Sequence, residues 1–219
     1  MSRVPIELDH LFVCTDVNAP CAQRLIELGF TEGPSNTHPG QGTANRRFFF
    51  ANAMIELIWV SDASEAQSPK TRRTLLWERW SGRKEQASPF GICMRPAGSE
   101  EIRSPFPGWE YRPDYLPTPA AFHIGDAGIT EPMWIYLSFL RQSRLEQNFF
   151  EHQIGVREIT GLTLTTPFPL QSPASQAVIE SSILTARSGG ESLIEIEFDH
   201  ARREKAEDLR PHLPLILRV

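Results

Sequence analysis

A chain of 219 residues, 40% hydrophobic and 22% charged, can bury a substantial core and has the composition of an ordinary globular protein. Its net charge of −5 offers no basic footprint, so nucleic acid is not expected as a partner, and no apolar run reaches the length of a membrane span. The first residues lack the apolar stretch of a secretion signal, and the three cysteines, Cys14, Cys21 and Cys93, lack zinc-site spacing. Reduced core thiols in a cytoplasmic protein are the expectation.

The opening strand is predicted over 7–14 and a later one over 54–60. Each carries one polar, metal-competent side chain, His10 and Glu56, among apolar neighbours. Residues two apart in a strand share a face, so Glu56 lies with Met54 and Ile58 while Ile55, Leu57 and Trp59 line the other side. A carboxylate in such surroundings needs a partner: a cation, a metal or a bound ligand. Between these strands, Asp16 or Asn18 can cap a helix with Pro20 in its first turn and Gly29 at its end. A glycine-rich loop over 37–45 then leads into a strand at 46–50, and Ala51-Asn52-Ala53 turns that strand antiparallel onto the Glu56 strand.

A serine-capped helix is predicted over 68–80, with Pro69 at its first position and Gly82 beyond its end. A buried strand follows at 90–94. Six prolines between 96 and 120 exclude a long helix there. Further strands are expected at 121–124 and 133–139, and a short amphipathic helix at 145–154. The order strand, helix, hairpin returns at 161–198, where Gly189-Gly190 separates the two arms of the hairpin. The charged run 202–208 reads as a solvated helical turn.

These segments resemble the vicinal oxygen chelate superfamily, and within it the glyoxalase-like proteins. The resemblance rests on Leu8-Asp9-His10-Leu11-Phe12-Val13 with Asp16, on Leu28-Gly29-Phe30, on the loop from His38 to Asn45, and on Ile55-Glu56-Leu57-Ile58. Beyond residue 88 it is one of element order. It implies an α+β fold in which paired βαβββ modules form curved mixed sheets around a cup-shaped cleft. The expected division is a first module at 4–62, a helical connection at 63–88, and a second module at 89–219 with additional C-terminal βαββ elements, all packed as one compact domain. A homodimer is common among such paired-module proteins.

In that superfamily a His on the first strand and a Glu on the last strand of each module hold a divalent metal, and His10 and Glu56 match those positions. The partner module departs from the pattern. If built from 89–140, its equivalents are Gly91 and Tyr136; if built from 161–198, they are Gly161 and Glu195, and Glu195 alternates as on a solvated strand face. His123 or His38 is left to complete a site for zinc, iron, manganese or nickel. His10 can equally be a core histidine in contact with Glu56.

The cleft is expected to carry Glu56 and His10 on its floor and His38, Gly42, Thr43 and Asn45 on its rim. Residues near His123 and Tyr136 form its far wall, Tyr136 offering a phenol opposite Glu56. The loop amides can form a concavity for an anionic or carbonyl-bearing ligand, with Arg46 or Arg47 neutralising it, or the glycines can merely permit a tight turn. No Gly-Lys-Ser/Thr follows, so no nucleotide cofactor is expected. Two functions stand open. One is a metal-dependent lyase, isomerase or dioxygenase acting on a small vicinal-oxygen substrate, with Glu56 and Tyr136 catalytic. The other is a metal-free small-molecule binding or sequestration protein of the bleomycin-resistance type.

Overall fold

A computed structural model describes residues 6–98, 103–140 and 151–219. Its first half is an eight-stranded mixed sheet built from two modules. β1 (Ile6–Cys14) is followed by α1 (Ala22–Glu27), β2 (Gly33–His38), β3 (Thr43–Phe49) and β4 (Met54–Val60). β4 returns to pair parallel with β1, placing Phe12 opposite Glu56. The second module runs β5 (Phe90–Pro96), β6 (Gly108–Tyr111), β7 (Phe122–Gly125) and β8 (Met133–Tyr136), and β8 pairs parallel with β5. β1 and β5 join the modules antiparallel, giving the order β2-β3-β4-β1-β5-β8-β7-β6.

The partner of the first module is therefore 90–136. The C-terminal repeat forms a second sheet instead: β9 (Ile159–Thr166), α4 (Pro173–Glu180), β10 (Thr185–Ser188), β11 (Leu193–Phe198), β12 (Ala206–Asp208) and β13 (Leu215–Arg218), in the order β10-β9-β11-β13-β12. β10 and β11 do not make the hairpin expected around Gly189-Gly190, because β9 lies between them. Residues 206–208 pair with β13 as an edge strand where a helical turn was expected.

One face of the large sheet packs against this second sheet. Leu11 and Val13 from β1, Ile55 and Leu57 from β4, and Trp134 and Tyr136 from β8 share a core with Ile194, Ile196, Leu215 and Leu217. Polar side chains tie the layers where strands end. Asn52 donates from Nδ2 to the Ile159 carbonyl (2.7 Å) and accepts from the Ile159 amide (3.0 Å), imitating a strand partner. Glu131 accepts from the amides of Gln171 and Ser172 (2.8 and 2.9 Å), from Ser172 Oγ (2.6 Å) and from Trp134 Nε1 (3.2 Å).

Two local expectations change. After the short α2 (Ala63–Ala66), the helix predicted over 68–80 is broken by Leu75 in the left-handed region (φ 56°), which separates a 3-10 turn (Arg72–Thr74) from α3 (Leu76–Ser81). β2 was not expected as a strand, since its Gly-Pro-Ser-Asn-Thr-His sequence has no apolar alternation; it forms by pairing with β3 at the sheet edge. Most of the helix predicted at 145–154 lies outside the described residues, and 151–154 are not helical.

Burial alone raises the Glu131 carboxyl pKa, but these hydrogen bonds to the charged form outweigh it and hold it below the ordinary value of 4.5. A depressed folded pKa stabilises the fold above the unfolded value, and that contribution is lost as pH falls through the folded one. Glu131→Gln should therefore lower stability at pH 7 and flatten the acid side of the curve of urea stability against pH. An acid limb identical to wild type would contradict this account.

Candidate functional site

The other face of the large sheet is concave, and its two ends converge on one cavity. Edge strands β2 and β6 are not paired with each other, yet the Tyr115 ring from the β6–β7 connection stacks on His38 of β2 at 4.9 Å. The Tyr115 hydroxyl donates to Gln41 Oε1 (3.1 Å), closing the cup. The space between encloses about 670 Å³, solvent at its mouth included. Its walls are apolar and aromatic: Phe12, Leu76, Tyr111, Phe122, Met133 and Ile135.

Strand alternation puts His10, Glu56 and Asn45 on the floor together. Glu56 is 5% exposed. Asn45 Nδ2 donates to Glu56 Oε1, while Asn45 Oδ1 accepts from the Asn36 amide of β2 (2.8 Å), which sets the way the amide faces. Glu56 Oε2 accepts no hydrogen bond from the described residues; the nearest cation is His10, with Nε2 3.6 Å away. His38 Nε2 stands 4.0 Å from Oε1.

Each imidazole is held from behind. A β-bulge in β1 between Leu8 and His10 lets the adjacent Asp9 reach back, so Asp9 Oδ1 and His10 Nδ1 meet at 2.7 Å. Arg95, itself 3% exposed, donates to Asp9 Oδ2 (2.9 Å), to Glu7 Oε1 (2.9 Å) and to the Asn52 carbonyl (3.0 Å). Burial by itself lowers the His10 pKa, but Cys93 and Asp9 raise it further and hold it well above 6.5. Burial also raises the Cys93 thiol, so Asp9, whose own pKa is lowered, is the charged partner at neutral pH.

His38 is different. Burial lowers its pKa, and its Nδ1 meets Thr43 Oγ1 at 2.8 Å. Gln41 Nε2 already donates to the same hydroxyl (2.8 Å). Thr43 can then give its own proton to His38 Nδ1, which leaves the His38 proton on Nε2, facing Glu56. A connected line of groups thus runs from Tyr115 through Gln41, Thr43 and His38 to Glu56, and on through His10 to Asp9 and Arg95.

The structure does not bring every expected residue here. His123 and Tyr136 occupy adjacent strands in register but point to the opposite face. His123 Nε2 bonds the Phe106 carbonyl (3.0 Å), and Tyr136 is buried in the intersheet core. Their neighbours Phe122 and Ile135 take the cup-facing places. Arg46 faces outward in an ion pair with Glu32, its Nε 2.6 Å from Oε1, so Arg47 is the arginine that lines the cup. The loop amides are spent internally: the Gly40 amide donates to Glu65 Oε2 (2.7 Å) and the Gly42 amide to the His38 carbonyl (3.2 Å). Gly42, at φ 74°, is needed for close packing, since a Cβ there would stand 2.2 Å from the Asp62 carbonyl oxygen. The phenols that line the cup, Tyr111 and Tyr115, come from a proline-rich stretch without periodicity.

The resemblance implies a divalent metal, and the donors on this floor are His10 Nε2, His38 Nε2 and the Glu56 carboxylate. The facing positions of the second module, on β5 and β8, hold Cys93, Met133 and Ile135. Among the described residues no group of three or more His, Cys, Asp or Glu side chains is arranged to hold a metal ion. The residues present do not supply the two-module donor set.

A βαβββ module joined to a second module of matching strand order, whose described residues hold four strands and no helix, encloses a cup, and this is a glyoxalase-like architecture. The glyoxalase-like domain family model matches residues 8–208, and the chain belongs to that family, within the vicinal oxygen chelate superfamily. A crystal structure of a hypothetical protein from Staphylococcus aureus shares the fold at a TM-score of 0.54 and 12% sequence identity, over 97% of this chain and 98% of that one. No curated protein matches the sequence.

Because its folded pKa is raised, His10 contributes stability that is complete below its unfolded value near 6.5 and is lost as pH rises through the folded value. Asp9→Asn should lower the His10 pKa, read from ring nitrogen shifts in a pH titration, and should cost more stability at pH 6 than at alkaline pH. An unchanged His10 titration would show that Asp9 does not hold the charge.

Proposed function

We propose that the cup binds a small, largely apolar, oxygen-bearing compound and acts on it by proton transfer, with Glu56 as the base. The observation that carries this reading is a nearly buried carboxylate at the floor of an open, apolar-walled cup, with one oxygen left without a hydrogen-bond donor. Ligand sites are mostly apolar with a few placed polar groups, and an acceptor of this kind suits a ligand hydroxyl or an acidic C–H. A hydroxy-carbonyl compound meets both demands. Glu56 takes the proton from the carbon next to the carbonyl, the electron pair moves onto the carbonyl oxygen, and the His10 imidazolium beside Glu56 stabilises the oxyanion. Transfer of the hydroxyl proton to that oxygen and return of the carbon-bound proton to the former carbonyl carbon complete an isomerisation. Asn45 keeps the carboxylate oriented, and Tyr115, through Gln41 and Thr43, sets the orientation of His38.

A second reading, sequestration without turnover, is favoured by Met133 and Ile135 standing where the second module would present ligands. Hydroxy-carbonyl and catechol compounds should be screened by thermal shift, and the hits then incubated in D2O and followed by proton NMR. Wild type should exchange the carbon-bound proton, and Glu56→Gln should slow that exchange by about 10²- to 10⁴-fold while still binding. Binding without exchange in wild type would favour sequestration. Stoichiometric metal in protein purified without added metal, lost in Glu56→Gln, would replace both readings with a metal-dependent one.

A further inference from the structure

A second cavity opens beside the cup, sharing Met133 with it, and is lined by Arg73, Arg79, Trp109 and Asp126 among others. Arg79 is 3% exposed and forms no ion pair among the described residues. Its Nη1 is shared by three backbone carbonyls, those of Ser88 (2.6 Å), Glu131 (2.8 Å) and Ile129 (3.3 Å). Its Nε has no hydrogen-bond partner. Carbonyl dipoles orient the guanidinium but do not neutralise it, and a buried cation without a counter-charge is costly. Burial lowers the Arg79 pKa to about 10, which still leaves it charged at neutral pH.

Arg73 adds a second cation to the same cavity. It rests over the Trp109 ring at 4.2 Å and likewise has no ion-pair partner among the described residues. In one continuous helix, residues six apart would face directions about 120° apart. The left-handed Leu75 between the 3-10 turn and α3 breaks that relation and brings both arginines to one space. Asp126, exposed on the cavity wall, reaches neither guanidinium.

We propose that this cavity is a second ligand site, separate from the cup, that takes a small anion of carboxylate or phosphate chemistry between Arg73 and Arg79. The planar forks of two arginines match the paired oxygens of either group. An anion there would meet the otherwise unpaired Arg79 charge without disturbing the carbonyl contacts that hold it.

The test is calorimetric titration of the full chain with inorganic phosphate and, separately, with acetate, at an ionic strength fixed with chloride. At least one anion should bind saturably, and which one binds names the class. Arg73→Ala removes an exposed side chain and should weaken that binding about tenfold or more. Asp126→Asn should tighten it several-fold. Arg79→Lys, which keeps the charge and loses the fork, should weaken it too; should that variant fail to fold, the Arg73 and Asp126 variants carry the test. Glu56→Gln should bind the anion as wild type does, which separates this site from the cup. Saturable binding of neither anion, or wild-type affinity in Arg73→Ala, overturns the proposal.

Discussion

A carboxylate placed in the middle of a buried strand constrains much of what surrounds it. Glu56 sits between Ile55 and Leu57, both in the intersheet core, and strand alternation turns it, with Met54 and Ile58, toward the cup. Desolvating that group without partners would cost several kcal/mol. The neighbouring strands supply the compensation. β3 brings the Asn45 amide, β1 brings the His10 imidazole, and β2, an edge strand of unpromising sequence, contributes the Asn36 amide that fixes Asn45 and the His38 ring. The His10 charge is in turn held by Asp9, and Asp9 by Arg95, so the polar line ends on an arginine tied to both Glu7 and the β3–β4 turn.

The apolar half of the cup follows from how the second module is attached. β5 runs antiparallel to β1 with Gly91 opposite Phe12, and a Cβ on that glycine would stand 2.0 Å from the Phe12 ring. Glycine there lets the ring lie across the strand as part of the floor. β8 and β7 continue the wall with Met133, Ile135 and Phe122, side chains that bind no metal of the kind suited to oxygen chemistry. The two modules thus share a topology and have taken on different tasks: one presents acid–base groups and the other presents a surface for an apolar body. The outer face is occupied by the second sheet, which leaves the cup side as the face open to a ligand.

Much of the first module was legible because its signals are local. One carboxylate in the apolar run 54–60, a helix stop at Gly29 and a short turn at 51–53 mark the elements and single out Glu56, and the pairing of β4 with β1 puts it on the same face as His10. The same reasoning failed at His123 and Tyr136. The β8 residues Met133, Trp134, Ile135 and Tyr136 are all apolar or aromatic and all buried, so both faces read alike and the phase of the strand is invisible. A shift of one residue exchanges every side chain between faces. Arg46 and Arg47 posed the same choice, settled by the ion pair with Glu32 from the α1–β2 connection.

What the chain by itself carried was most of the element order of the first module and, through the resemblance of its motifs, the family and the expectation that His10 and Glu56 meet, because those signals lie in short local segments. Tertiary structure alone decided which half completes the cup: 161–198 carries the strand, helix, strand order of the first module, yet strand pairing joins 90–136, helix-free among the described residues, to it. It also decided the bulge that joins Asp9 to His10, the return of Tyr115 across the cup, and the left-handed break at Leu75 that turns two arginines into one cavity. Those features are contacts between residues far apart in the chain, or backbone deviations held by such contacts, and periodicity carries no record of either.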